Sequence, residues 1–227
     1  MIKPQKLYFS PDVVLYPLLF VIIMWLVFWF EIRFGEDFTP YGIHPGSVEG
    51  IRGVLFGPFI HGNLKHLFNN SIPMLVLGTA LFYFYRPLRW QVFILGFVIT
   101  GLITWAIGRP ANHIGASGVT HGLFFFLFVA SIFRRDKSSV AIMMITFLLY
   151  GGMTMSIFPR EEGISFEYHF FGALAGVIAA IIWRNSDPKP VVKLYEWEKK
   201  SFNDDTEIGD EWQVDKASEQ EDKPRLH

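Results

Sequence analysis

The sequence predicts an all-α, polytopic membrane protein built as a bundle of six transmembrane helices. Three observations predict it. Six apolar blocks recur along the chain, each close to the ~20 residues that cross a ~30 Å bilayer core as a helix. Hydrophobic residues make up 51% of the 227 and charged residues only 18%, where an ordinary soluble domain carries roughly a quarter charged residues. The basic residues that remain gather in alternate connections between the blocks, as expected of a chain that crosses a membrane repeatedly.

The first block, residues 13–30, is longer than the ~7–15-residue apolar core of a signal peptide. Glu31 and Arg33 follow it, with no small-residue cleavage pattern. It reads as a retained first helix. The remaining blocks are 66–85, 90–107, 117–133, 140–157 and 167–183. Gly, Pro and polar residues within them are tolerated where a helix faces its neighbours. Between the first two blocks lies a connection of residues 31–65. Connections longer than ~12–15 residues are usually functional or disordered, and this one is too apolar around Ile51, Val54, Leu55, Phe56, Phe59 and Ile60 to be a solvated linker. It is expected to lie partly in the membrane interface. The end of the chain is rich in acids (Asp204, Asp205, Glu207, Asp210, Glu211), a composition that favours disorder, with a short amphipathic helix at 194–197. The expected organisation is an N-terminal segment 1–12, a six-helix core 13–183 and a polar tail 184–227.

Lys3 and Lys6 precede the first block, Arg86 and Arg89 separate the second from the third, Arg134, Arg135 and Lys137 separate the fourth from the fifth, and Arg184, Lys189 and Lys193 follow the sixth. All four segments fall on one side if all six blocks span. The opposite connections mix their basic residues with Glu31, Glu36, Asp37, Glu49, Glu161 and Glu162. The positive-inside rule then puts both termini in the cytoplasm, which fits a bacterial inner membrane. The chain has no cysteine, which excludes disulfides and Cys-ligated metals. Nothing in it points to nucleic acid, and no cofactor or metal is expected.

Polar residues inside membrane blocks are costly and are functional candidates by default. They gather at the outer ends of the second, fourth and sixth blocks. His66 and Asn70 are four apart and share a helix face; alone, they read as interfacial or interhelical hydrogen-bonding residues. Ser117 opens the fourth block in Gly115-Ala116-Ser117-Gly118; alone, it reads as a helix cap. Yet the glycines leave the hydroxyl open to approach, and the free N–H groups of that helix end suit a negative oxygen. His169 lies three residues before Gly172, which pairs with Gly176 in a small-xxx-small face for close packing; alone, it reads as a structural hydrogen bond. Together the three clusters put a nucleophile, a base and side-chain donors at one depth, the set that acyl transfer requires.

The ordered set of His61, His66 and Asn70, then Gly115-x-Ser117-Gly118, then His169 with Gly172 and Gly176, resembles the rhomboid family of intramembrane serine proteases over residues 13–183. The resemblance implies a six-helix rhomboid-like bundle and a Ser–His dyad without a third carboxylate. Ser117 would be the nucleophile and His169 the general base; His66, Asn70 and the Ser117 N–H would hold the oxyanion. His61 would support the first loop. Two departures stand out. His121 occupies the position where the family commonly has a tyrosine stacked on the catalytic histidine. The Trp-Arg pair common in the first loop is absent, Arg52 being the nearest candidate. Glu167, two residues before His169, is expected to mark the membrane boundary, the alternative being that it orients a basic group.

The function implied is cleavage of transmembrane protein substrates near the outer face of the lipid bilayer. The water needed at Ser117 would sit in a polar cavity lined by His66, Asn70, His113, Ser117 and His169. Two other classes of function are weighed against it. A rhomboid-like escort factor without catalysis would typically lack the dyad. A metal or proton transporter would use His61, His66, His113, His121 and His169, but no HExxH signature and no carboxylate pair within the blocks supports it.

Overall fold

The computed structural model describes residues 7–159 and 165–186. Six apolar helices carry the fold: α1 (Asp12–Phe34), α3 (Leu64–Phe84), α4 (Arg89–Ile107), α5 (Ser117–Arg134), α6 (Lys137–Tyr150) and α7 (Phe166–Ile182). A seventh, α2 (Gly53–Phe56), is a single turn within the long first connection, flanked by 3₁₀ turns at Thr39–Tyr41, Glu49–Arg52 and Gly57–Phe59. Five helical stretches are long and apolar enough to cross a membrane: α1, α3, α4, α5, and α6 taken with the 3₁₀ turn that follows it (Lys137–Thr154); α7, with 17 residues, is slightly shorter than these. Leu15, Leu18, Leu19, Ile22, Leu26 and Trp29 are exposed on α1, as are Met144, Ile145, Phe147 and Leu148 on α6. Contiguous apolar faces of this size belong against lipid. The chain is an integral, multi-pass membrane protein.

The helix limits follow from local chemistry. Gly35 ends α1 in the left-handed region at φ 71°, with its N–H donating to Glu31 O, a common helix stop. Asn63 caps α3 by accepting from the His66 N–H at 2.8 Å. Asp136 opens α6 with a full capping box, in which its carboxylate accepts from the Ser138 and Ser139 N–H groups and the Ser139 side chain accepts from the Asp136 N–H. The block expected over 140–157 is not one α-helix. It starts earlier, at Lys137, and changes to a 3₁₀ turn over Gly151–Thr154, where two consecutive glycines weaken the α-helix. The tail from residue 187 onward, with the amphipathic helix expected at 194–197, lies outside the described residues.

α5 is the central element, with 67% of its span buried against 17% for the α6 span. It packs on α7 with almost no side chains between them. A Cβ at Gly172 would meet Gly118 O at 2.1 Å, and one at Gly176 would meet Gly122 O at 2.2 Å. Only glycine permits such an approach. Elsewhere polar side chains join the helices. Trp25 Nε1 of α1 donates to Ser71 Oγ of α3 at 3.0 Å, and Ser71 passes its own proton back to Leu67 O at 2.8 Å. At one end of the bundle, Asp12 is ion-paired with Arg89 at 2.7 Å and with Arg86 at 3.5 Å, fastening the start of α1 to the α3–α4 connection.

Candidate active site

The long first connection builds the approach to α5. Gly53 packs so close to the chain at Gly42 and Ile43 that a Cβ would lie 2.2 Å from their backbone atoms. Ile43, held in this way, exchanges two backbone hydrogen bonds with His113, both 2.9 Å. Gly115 N then donates to Gly57 O at 2.9 Å. Residues 113–115, just ahead of Ser117, are thus fixed by a segment 58 to 70 positions earlier in the chain.

Gly115 has φ +97°, a conformation L side chains rarely adopt. The space its missing Cβ leaves is filled from α3. That Cβ would lie 2.6 Å from His66 Nε2 and 3.3 Å from Asn70 Nδ2. The imidazole and the amide therefore converge on the backbone two residues before Ser117. Asn70 is buried and donates one Nδ2 hydrogen to His66 O at 3.1 Å, which leaves its second hydrogen for a ligand. Ser117 is the first residue of α5; the position before the helix is Ala116, with no side-chain cap. The Ser117 hydroxyl therefore does not cap the helix.

Ser117, His66, Asn70, His121 and His169 all line one cavity of about 600 Å³, together with Asn63, Lys65 and Asn112. The His121 and His169 rings stack at 4.1 Å between centroids and 9° between planes. His121 thus fills the place expected of a tyrosine. His169 Nδ1 faces Ser156 O at 3.0 Å. A carbonyl only accepts, so Nδ1 carries the proton and Nε2 of the neutral ring is left as the basic nitrogen. Among the described residues no hydrogen bond joins the Ser117 hydroxyl to His169. Catalytic hydrogen bonds are often long in unliganded sites and tighten with substrate bound.

Other expectations are corrected. His113 does not line the cavity. It is buried behind it, hydrogen-bonded through Nδ1 to Ser165 Oγ and through Nε2 to Arg109 O. Burial lowers its pKa. Glu167 does more than mark a boundary: its carboxylate pairs with Arg109 at 3.4 Å, joining the start of α7 to the α4–α5 connection. His61 is buried, donates from Nδ1 to Phe59 O at 3.2 Å and meets the His66 ring edge-on at 5.0 Å. Burial, helped by the nearby His66, pushes its pKa down to about 3. Arg52 lies 4.4 Å over the Tyr41 ring, a contact within the first connection. Among the described residues no group of three or more His, Cys, Asp or Glu side chains is arranged to hold a metal ion.

The family model of the Rhomboid domain matches residues 49–186, more than half of the chain. The chain belongs to the rhomboid family. Proteins of Mycobacterium tuberculosis and Mycobacterium bovis, both named as uncharacterized, are each 35% identical to it over 175 residues, covering 73% of this chain and 72% of theirs. A Mycobacterium leprae protein, also named as uncharacterized, is 31% identical over 174 residues, covering 73% and 69%.

Two features of this rhomboid were missed in the sequence. Gly122 forms the α5 side of the glycine contact with Gly176, and the Gly118-xxx-Gly122 spacing was a visible signal for it. Ser156 orients His169 through a backbone atom, for which no side-chain pattern exists.

Proposed function

We propose that this rhomboid is an intramembrane serine endopeptidase that cleaves transmembrane protein substrates near the outer face of the membrane. The observation that carries the proposal is the convergence at Gly115: His66 and Asn70 from α3 crowd the backbone ahead of Ser117, in the cavity that His169 also lines. Ser117 Oγ attacks the scissile carbonyl while His169 Nε2 takes its proton. The negative oxygen is held by the Ser117 N–H at the start of α5, the free Asn70 amide hydrogen and the His66 ring, donors already in place before charge develops. His169 then returns the proton to the leaving amine. Water from the polar cavity hydrolyses the acyl-enzyme by the same proton route in reverse.

The substrate must present an extended segment, because a helix keeps its amides hydrogen-bonded within itself. Gly or Pro near the cut site therefore favours cleavage. Both termini lie in the cytoplasm in this reading, and the cavity opens toward the opposite side. The test is gel-based cleavage of a model transmembrane substrate by the purified protein in detergent. Ser117→Ala and His169→Ala each abolish cleavage if the proposal holds; full activity in either variant overturns the dyad, and no cleavage by the wild-type protein leaves binding or escort without catalysis as the function.

A further inference from the structure

The connection between α6 and α7 supplies two hydrogen-bonding groups from one residue. Ser156 lies just past the 3₁₀ turn Gly151–Thr154. Its carbonyl accepts from His169 Nδ1 at 3.0 Å, and its hydroxyl lies 2.8 Å from His121 Nε2. His121 in turn directs Nδ1 at Ser117 O, 2.6 Å away. The two rings that Ser156 touches are the stacked pair.

Counting protons decides how this network is wired. Ser117 O is a carbonyl, so His121 Nδ1 must donate to it. The Ser156 hydroxyl has one proton and two candidate acceptors, His121 Nε2 and Met153 O, the latter at 2.8 Å. If the proton goes to Met153 O, His121 Nε2 keeps its hydrogen bond to Ser156 only by donating, and the ring is then a cation. A second cation would then be stacked at 4.1 Å on His169, which must itself become cationic when it takes the proton of Ser117. With the proton on His121 Nε2 instead, His121 stays neutral and offers its π face to the His169 cation, an attractive arrangement.

We infer that Ser156 is a positioning residue for His169: its carbonyl holds the Nδ1 proton, and its hydroxyl keeps His121 as the neutral ring on which the His169 cation stacks. The inference rests on the Ser117–His169 dyad. Where many serine hydrolases orient the base with a carboxylate, this site uses a main-chain carbonyl and a second imidazole, both organised by one serine of the α6–α7 connection.

Cleavage kinetics of the full-length protein in detergent test it. Ser156→Ala keeps the carbonyl and removes the hydroxyl; it lowers kcat roughly tenfold, the effect of one lost hydrogen bond to a buried ring, with KM unchanged. Ser156→Thr restores kcat. In a His121→Phe background, which keeps the stack but has no ring nitrogen to satisfy, adding Ser156→Ala costs little more. Unchanged kcat in Ser156→Ala, or the same loss in both backgrounds, overturns the inference. Should Ser156→Ala not fold, nitrogen NMR of histidine-labelled wild-type protein decides: the proton sits on Nδ1 in both His121 and His169, and an Nε2-protonated His169 overturns the inference. Ser117→Ala run in parallel separates the two levels. If it is inactive while Ser156→Ala is fully active, the inference alone fails; if it is active, the dyad fails.

Discussion

Replacing Gly172 by alanine tests how tightly the proposed catalytic groups depend on the α5–α7 contact. The added Cβ would lie 2.1 Å from Gly118 O and 2.9 Å from Gly118 C. Both are backbone atoms, so no rotamer change makes room. Moving the contact from 2.1 Å to the 3.4 Å of an ordinary one separates the helices by about 1.3 Å. Gly118 adjoins Ser117 and Gly172 is one turn from His169, so the separation falls directly on the proposed dyad. A misplacement of ~1 Å costs on the order of 100-fold in rate, and overpacking a well-packed contact costs ~1–3 kcal/mol of stability. Gly172→Ala is therefore expected to cleave a transmembrane substrate about 100-fold more slowly and to melt at a lower temperature. Gly96→Ala in α4 is the control. Nothing lies within 4 Å of its added Cβ, and alanine is the better helix former by about 1 kcal/mol, so its cleavage rate is unchanged and its stability equal or higher. Wild-type rate and melting temperature in Gly172→Ala would mean that the α5–α7 contact does not set the spacing of Ser117 and His169.

Two further predictions concern stability. His61 has a folded pKa of about 3 against ~6.5 unfolded, so the unfolded chain binds the extra proton first and its neutral-state stability is lost as pH falls below ~6.5. Between pH 7.5 and 5.5 this amounts to roughly 1 kcal/mol; melting curves at the two pH values should show a smaller drop for His61→Gln than for wild type, and equal drops would count against it. Asp136→Ala removes the cap that accepts from the Ser138 and Ser139 N–H groups and is expected to cost about 1 kcal/mol, seen as faster hydrogen exchange at the start of α6 with no change there in Ser138→Ala.

Much of this was legible because a membrane imposes strong rules. A helix must supply about 20 apolar residues, and each polar exception within it has to find a partner. Thus the expected blocks at 90–107 and 117–133 differ from α4 (Arg89–Ile107) and α5 (Ser117–Arg134) by one residue at one end. Ser117, His66, Asn70 and His169 meet in one cavity, as expected of side chains placed at one depth. What stayed hidden depends on backbone atoms and distant pairs. Ser156 acts on His169 through its carbonyl, an atom every residue carries. Arg109 finds Glu167 across 58 positions, and no periodicity reports such a partner. His113 was wrongly placed in the cavity because depth alone does not say which way a ring turns. The bridge to Ile43 turns it inward.

In the proposed dyad Ser117 is a nucleophile activated by His169. Covalent labelling of the folded protein in detergent with a fluorophosphonate, followed by peptide mapping of the modified site, tests this. One labelled residue is expected, Ser117, with labelling lost in Ser117→Ala and strongly reduced in His169→Ala. Equal labelling of wild type and Ser117→Ala, or a label mapped to another serine, would contradict it.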